Sequence, residues 1–423
     1  MKLRIALISD HASPLAALGG TDCGGQNVYV SQIARALASH GHEVDVFTRR
    51  DDSALPMVVN ACDGVRVIHV PAGPAATVRK EEMLPYMAEF SAFTTGWCAC
   101  DDRGYDIAHA NFWMSGMAAL ELKERLGIPF VITFHALGRV RRLHQGAADG
   151  FPEERFEIEE HIVDCADRVI AECPQDEQDL ITLYEADPHR ISMIPCGVDL
   201  NSFRPVPRRK ARSIVGLPQR EHVVLQLGRL VPRKGIDNVI RGIARLRDLH
   251  DVRATLIIVG GDSDAPDPVR TPEIARLMSV AESEGVMDQV RFVGRRGRDS
   301  LRYYYSAADV FVTTPWYEPF GLTPLESMAC GTPVIGSEVG GIRYTVCDGR
   351  TGYLVPPNDP EALAGRLARV LTDPRHRQAL ANEGLRRVRE HFSWPGIACS
   401  LEGTYEEVLE AGQLAKADLS LTA

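Results

Sequence analysis

Val223-Val224-Leu225-Gln226-Leu227-Gly228-Arg229-Leu230-Val231-Pro232-Arg233-Lys234-Gly235 is a strand-like apolar run that breaks into a basic loop bounded by glycines. It restarts a pattern the chain has already run through once. Strand-like runs occur at Leu3–Ile8, Val44–Thr48, Val65–Val70, Ile107–His109, Phe130–Phe134, Val169–Ala171 and Ile191–Ile194, with helical stretches between them. A polar, proline-marked passage then follows from Pro195 to Pro207, ahead of Arg208, Arg209 and Lys210. After Val223–Leu227 the alternation continues through Leu256–Val259, Val290–Val293, Val310–Thr313 and Val334–Ile335. Near-continuous apolar strands alternating with helices specify parallel sheets covered on both faces, so the chain reads as two consecutive α/β domains joined near residues 195–215.

Composition agrees. The 423 residues exceed what one hydrophobic core usually supports, and 45% apolar with 25% charged residues is ordinary globular usage. With 47 Lys plus Arg against 57 Asp plus Glu, the net charge of −10 offers nucleic acid no general attraction. No apolar run approaches the roughly 20 residues a membrane helix needs. Met1–Asp10 opens as a strand rather than a signal peptide, and the expected location is cytoplasmic. The ten cysteines are scattered; Cys98 and Cys100, the closest pair, lack CxxC spacing, so reduced and mostly buried thiols are expected. Asp359-Pro360 opens an N-capped helix, Trp394–Leu409 reads as another helix, and Lys416–Ala423 reads as a frayed tail.

Three loops carry the chemistry. Gly19-Gly20-Thr21-Asp22-Cys23-Gly24-Gly25-Gln26-Asn27 follows the first strand and enters a helix, more glycine than one turn needs and suited to a phosphate or a sugar. Arg229 and Lys234, in the equivalent place of the second half, suit a diphosphate; the plainer reading is solvated basic residues, Arg233 among them. Glu318-Pro319-Phe320-Gly321-Leu322-Thr323-Pro324-Leu325-Glu326 puts one carboxylate on a loop and a second on the first turn of a helix, where the two accept bonds from two sets of ligand hydroxyls. The plainer reading of Glu326 is a helix cap. His135 ends a strand at the carboxyl edge, where ligands bind in open α/β sheets. Asp262-Ser263-Asp264 reads as a carboxylate-rich surface turn, and His11, His40, His42 and His109 lack compact ligand spacing, so no essential metal is expected.

Together GGQNVY (Gly24–Tyr29), GR-x4-K (Gly228–Lys234) and E-x7-E (Glu318–Glu326), followed by GTPVI (Gly331–Ile335) and GGI (Gly340–Ile342), resemble the family 4 retaining glycosyltransferases. Within that family the similarity is to the sucrose synthase, sucrose-phosphate synthase and inositol-phosphate N-acetylglucosaminyltransferase (mycothiol) group. The resemblance implies the GT-B fold, two Rossmann-like α/β domains facing a central crevice. Residues 1–200 would be the acceptor-binding domain and 201–395 the nucleotide-sugar-binding domain, with 396–423 a C-terminal helix packing back on the first domain, plus a tail.

It further implies that Arg229 and Lys234 hold the donor diphosphate and that Glu318 binds the sugar hydroxyls and Glu326 the ribose. Phe320, Gly321, Leu322 and Thr323 would present amides, Gly24 and Gly25 would close on the diphosphate, His135 would face the sugar, and Arg296 would lie by the base. Catalysis would rest on His135, Arg229, Lys234 and Glu318. A nucleotide sugar, UDP-linked, would be the co-substrate with no other cofactor, and a small sugar, polyol or sugar phosphate the acceptor. Asn27, Lys80, Phe112 and Arg155 are the acceptor-side candidates; Phe112 and Ala136 stand where the inositol-phosphate enzymes have Tyr and Thr, and Arg139, Arg141 and Arg142 are further cations. Other readings of the same fold are a nucleotide-sugar epimerase, a phosphorylase-like enzyme, an inactive sugar-nucleotide sensor and a transferase acting on lipid-linked acceptors; a monomer and a homodimer both remain open.

Overall fold

The structure, a computed structural model, describes residues 2–16 and 24–422. It divides into two compact units, one formed by residues 2–16, 24–195 and 394–422, the other by residues 196–393.

The first unit is built on β1 (Arg4–Ile8), β2 (Glu43–Arg49), β3 (Val58–Cys62), β4 (Val65–Val70), β5 (Ile107–Asn111), β6 (Phe130–Thr133), β7 (Arg168–Ala171) and β8 (Ile191–Met193). Their order across the sheet is β3-β4-β2-β1-β5-β6-β7-β8, parallel except for the β3–β4 pair. The second unit holds β9 (Val223–Leu227), β10 (Thr255–Val259), β11 (Val290–Gly294), β12 (Val310–Thr313), β13 (Val334–Ser337) and β14 (Gly352–Val355), ordered β11-β10-β9-β12-β13-β14 and parallel throughout. In each sheet the first strand sits where the strand order reverses: β1 lies between β2 and β5, and β9 between β10 and β12. Loops leaving these strands diverge to opposite faces and open a crevice at their carboxyl ends.

Burial explains the strand composition. Every residue of β1 and β9 is buried because helices cover both faces, and the helices read as amphipathic for the same reason. In the second unit Val239, Ile240 and Ile243 of helix Ile236–His250 pack with Leu256, Ile258, Leu363 and Leu367 in one core. Truncating such a residue to Ala costs about 2–5 kcal/mol. Asp359 accepts the Ala362 amide at 2.9 Å and caps helix Pro360–Thr372, as its sequence predicts.

Four differences from the sequence reading have simple causes. β3 is a half-exposed antiparallel edge strand interrupted by Asn60, and β14 is four residues opened by Gly352, so neither shows as an apolar run. The last helix spans Trp394–Thr422, without the fraying expected from Lys416; its Ala- and Leu-rich final turns contain no proline. Of the nine described cysteines, all unpaired, only Cys98, Cys173, Cys196 and Cys330 are buried, against the expectation of mostly buried thiols. No helix among the described residues is long and apolar enough to cross a membrane.

Candidate functional site

In the second unit the loops after β9 and β12 are fastened to each other. Gly235 has φ +62°, and a Cβ there would lie 2.0 Å from the Thr314 carbonyl oxygen, so only glycine permits this approach. Thr314 Oγ1 donates to Gly235 O at 2.8 Å, and the Trp316 amide to Arg233 O at 3.0 Å. The seam brings Lys234 Nζ into a short hydrogen bond with Glu318 Oε2, with Arg233 3.5 Å from the same oxygen. Arg233, expected to be solvated, is therefore part of the cluster; it also donates to Tyr317 O at 3.1 Å. Behind the loop Gly340 and Gly341 act as a floor: a Cβ on Gly340 would lie 2.0 Å from Glu318 O, and one on Gly341 2.4 Å from Phe320 Cα.

Charge and burial compete here. Burial pushes the Lys234 ammonium below its ordinary value, with Arg233 and Arg229 acting the same way and Glu318 opposing. Burial also works against the Glu318 carboxylate, yet Lys234, Arg233 and Arg229 outweigh it and hold Glu318 below the usual carboxylate range. The cluster thus gathers three cations on one carboxylate, an excess suited to an anionic ligand. Gly321 (φ +89°) turns the chain into helix Leu322–Ala329, whose N-terminus, at Leu322 and Thr323, adds partial positive charge beside Glu318; the Phe320 side chain is buried.

Glu326 lies on the second turn of that helix, not the first, and caps nothing. It is buried, accepts a hydrogen bond from Tyr305 at 2.9 Å and pairs with Arg298 at 3.1 Å; burial pushes its carboxyl up against those contacts. Arg296 donates to Tyr304 Oη at 3.0 Å and Asp264 O at 2.6 Å, which ties the loop after β11 to the Asp262-Ser263-Asp264 turn. In that turn Asp262 accepts from Thr271 Oγ1 at 3.2 Å, while Asp264 is solvated beside Arg295.

In the first unit the carboxyl edge assembles residues from adjacent strands. His135 follows β6 with φ +60°, a conformation uncommon outside glycine. Its Nε2 lies 3.0 Å from Asn111 Oδ1 at the end of β5, its Nδ1 3.1 Å from Glu172 Oε1 just after β7, and Tyr29 packs edge-on against it at 4.8 Å. Two oxygens flanking one ring fix its orientation. At the end of β1, His11 bonds Asp10 at 2.8 Å and meets the Phe112 ring at 4.8 Å. His109 is fully buried between Tyr405 Oη (2.6 Å) and Thr133 Oγ1 (2.9 Å), and burial pushes its imidazole down to about 3, so it packs as a neutral group.

The acceptor-side candidates are not equally placed. Arg155 is 0% exposed: it donates to Glu159 at 2.7 Å and to Ala136 O, and lies 5.1 Å over Phe112 and 4.5 Å over Phe151. It packs beneath the Phe112 turn (φ +84°), and its buried Nη1 makes no hydrogen bond. Phe112 is buried with it. Asn27 accepts the Gly24 amide (3.0 Å) and donates to Ser13 O (3.1 Å), so its amide secures the ends of the glycine loop. Gly25 begins helix Gly25–Ser39, and Gly19–Cys23 lie outside the described residues. Lys80 opens a short turn, Lys80–Glu82. Arg139, Arg141 and Arg142 are held by Glu160, Asp149 (2.7 Å) and Glu153 (3.0 Å).

Comparison with known proteins decides the family. Residues 24–197 match the glycosyl transferase 4-like domain model, and residues 207–387 match glycosyl transferases group 1. The D-inositol 3-phosphate glycosyltransferase of Actinosynnema mirum is 40% identical over 411 residues, 95% of this chain and 96% of that protein. The chain belongs to the family 4 glycosyltransferases. Among solved structures, the sucrose-phosphate synthase of Thermosynechococcus elongatus superposes with a TM-score of 0.87 at 36% identity, covering 97% of this chain and 100% of that one. Anabaena HepE in complex with UDP-glucose shares the fold at 19% identity, with a TM-score of 0.71 and coverage of 96% and 100%. This glycosyltransferase accordingly has the two-domain α/β architecture of the GT-B class.

Several residues of the transferase escaped the sequence reading. Asn111 and Glu172 stand at carboxyl ends of strands flanking β6, so the rule that selected His135 would also have selected them. Tyr305 and Arg298 carry no motif signal, and Tyr29 closes GGQNVY without having been singled out; packing shows all three.

Proposed function

We propose that this glycosyltransferase moves a hexose from a UDP-linked sugar to a small soluble acceptor, a sugar, polyol or sugar phosphate, with retention at the anomeric carbon and without a metal ion. The observation that carries this reading is the Lys234–Glu318 pair with Arg233, set between the carboxyl ends of β9 and β12. Departure of a nucleoside diphosphate builds negative charge on its phosphate oxygens. Lys234, Arg229 and Arg233 supply fixed positive charge for it, the role a divalent ion fills elsewhere. Burial disfavours the Lys234 charge, and an arriving diphosphate acts in the opposite direction, favouring the ammonium.

Glu318, kept ionised, accepts hydroxyls of the sugar, and Glu326, steadied by Tyr305 and Arg298, accepts those of the ribose. Retention follows same-face attack: the acceptor oxygen bonds to the anomeric carbon, the carbon–phosphate oxygen bond breaks, and the leaving phosphate oxygen takes the acceptor's proton. His135, aligned by Asn111 and Glu172, orients the sugar. The donor base is suggested by the UDP-glucose complex of HepE.

A phosphorylated acceptor has specific support, because the inositol-phosphate transferase and the sucrose-phosphate synthase are both named for phosphorylated small molecules. On this chain Lys80 and Arg155 are the cations offered for it, with Arg139, Arg141 and Arg142 held by Glu160, Asp149 and Glu153. The test is a mass-spectrometric screen of UDP-glucose, UDP-N-acetylglucosamine, ADP-glucose and GDP-mannose against fructose, fructose 6-phosphate, glucose 6-phosphate and inositol phosphate. A UDP-sugar-dependent glycoside is expected. A product formed from donor alone would point to an epimerase, and folded protein with no transfer or donor hydrolysis would refute the reading.

A further inference from the structure

Away from these loops, the first unit gathers a set of donor atoms that its sequence spacing hides. His40, which ends helix Gly25–Ser39, lies with Cys399 and Glu402 of the C-terminal helix so that one donor atom from each falls within 4.8 Å of the others. Cys399 and Glu402 are three apart and share one helix face. His40 Nδ1 is 2.7 Å from Glu402 Oε1 although 362 residues separate them. A fourth residue organises the group. The Leu3 amide donates to His42 Nδ1 at 3.0 Å, so His42 Nε2 carries the ring proton and donates it to Glu402 Oε1 at 3.0 Å. His42 is thereby excluded as a ligand through Nε2 and acts as the residue that orients the carboxylate, an arrangement that recurs behind metal ligands.

We propose that His40, Cys399 and Glu402 bind a zinc-type divalent transition-metal ion that fastens the C-terminal helix to helix Gly25–Ser39. The donor types select the ion: imidazole nitrogen, thiolate sulfur and a single carboxylate suit zinc, whereas magnesium and calcium require oxygen ligands throughout. Ligand bonds of about 2.0–2.3 Å place tetrahedral donor atoms roughly 3.3–3.8 Å apart, a contraction that side-chain rotation at a surface position supplies. The ion replaces the proton between His40 Nδ1 and Glu402, Cys399 loses its proton, and water fills the fourth position. The helix so fastened also carries Tyr405, bonded to His109, and Trp394, packed against Tyr29 at 5.6 Å.

The experiment is titration of metal-free, full-length protein with zinc chloride in competition with a chromophoric chelator, alongside the absorption spectrum with cobalt(II). Wild type should bind one ion per chain at this site, show a thiolate-to-cobalt charge-transfer band with intense tetrahedral d–d bands, and gain thermal stability with zinc. Cys399→Ser alters an exposed side chain and should keep the metal-free melting temperature while weakening zinc binding about tenfold or more and abolishing both the charge-transfer band and the zinc-dependent rise in Tm. Glu402→Gln should weaken zinc with the cobalt thiolate band retained. A C399S protein with unchanged zinc affinity and cobalt spectrum would show that the ion sits on other cysteines, and a wild type that binds no zinc at 100-fold molar excess would refute the site outright.

Discussion

The carboxyl edge of β9 and β12 and the carboxyl edge of β5, β6 and β7 both gather polar side chains, but by different construction. In the second unit the candidate groups Arg229, Arg233, Lys234, Glu318 and Glu326 come from two short loops and the second turn of one helix, with glycines at 235, 340 and 341 allowing the backbones to touch. In the first unit Asn111, His135 and Glu172 each end a different strand, and parallel pairing alone brings them together. A site for a charged leaving group needs several like charges forced close, which short, tightly packed loops achieve. A site that orients one ring needs separate acceptors at strand spacing.

The proposed function places departure of the diphosphate at the second unit, so Lys234→Ala should give the largest effect: kcat/KM down by about 10²–10³, as for loss of one preorganised oxyanion donor. Steady-state kinetics with the best donor–acceptor pair checks it, and wild-type turnover would remove Lys234 from the chemistry. Gly340→Ala tests the floor beneath Glu318. Its Cβ would lie 2.0 Å from the Glu318 carbonyl, so the loop must shift, with stability falling by roughly 2 kcal/mol and activity falling further than stability explains. Denaturant unfolding together with kinetics separates the two.

Glu172→Gln probes the other edge. It keeps the hydrogen bond and removes the charge beside His135, so kcat should fall about tenfold with donor KM nearly unchanged. The smallest effect concerns Asp176, whose Oδ2 accepts the Glu172 amide at 2.9 Å and whose carboxyl is pushed up to about 7 by burial and by the charge of Glu172. Between the ordinary value of 3.8 and 7 the folded chain holds a proton that the unfolded chain has released, so rising pH in this window lowers stability. Asp176→Asn should therefore raise Tm by a few degrees at pH 8 and hardly at all at pH 4; a gain larger at pH 4 would reverse the assignment.

The same contrast explains what the sequence could show. Contiguous motifs exposed the second unit's groups because each lies within a few residues of its glycine: Arg229 beside Gly228, Lys234 beside Gly235 and Glu318 near Gly321. Val- and Ile-rich runs likewise exposed the buried strands, but not edge strand β3 or the four-residue β14, whose burial is partial or brief. The burial of Arg155 was not legible, because a cation near a site reads alike whether it faces solvent or lies packed against Phe112 and Phe151. Glu172 and Asn111 sit at strand ends but in no contiguous motif, and the His40–Cys399–Glu402 group is brought together by tertiary packing and leaves no local pattern.

The most direct test of this division of labour is the affinity for UDP, measured by calorimetry on wild type, Lys234→Ala and His135→Ala. The account predicts that K234A weakens UDP by about tenfold or more, in keeping with a lost charge-assisted bond of roughly 1.5–3 kcal/mol, while H135A, whose partner is the sugar, stays within about twofold of wild type. UDP binding lost in H135A but intact in K234A would contradict it.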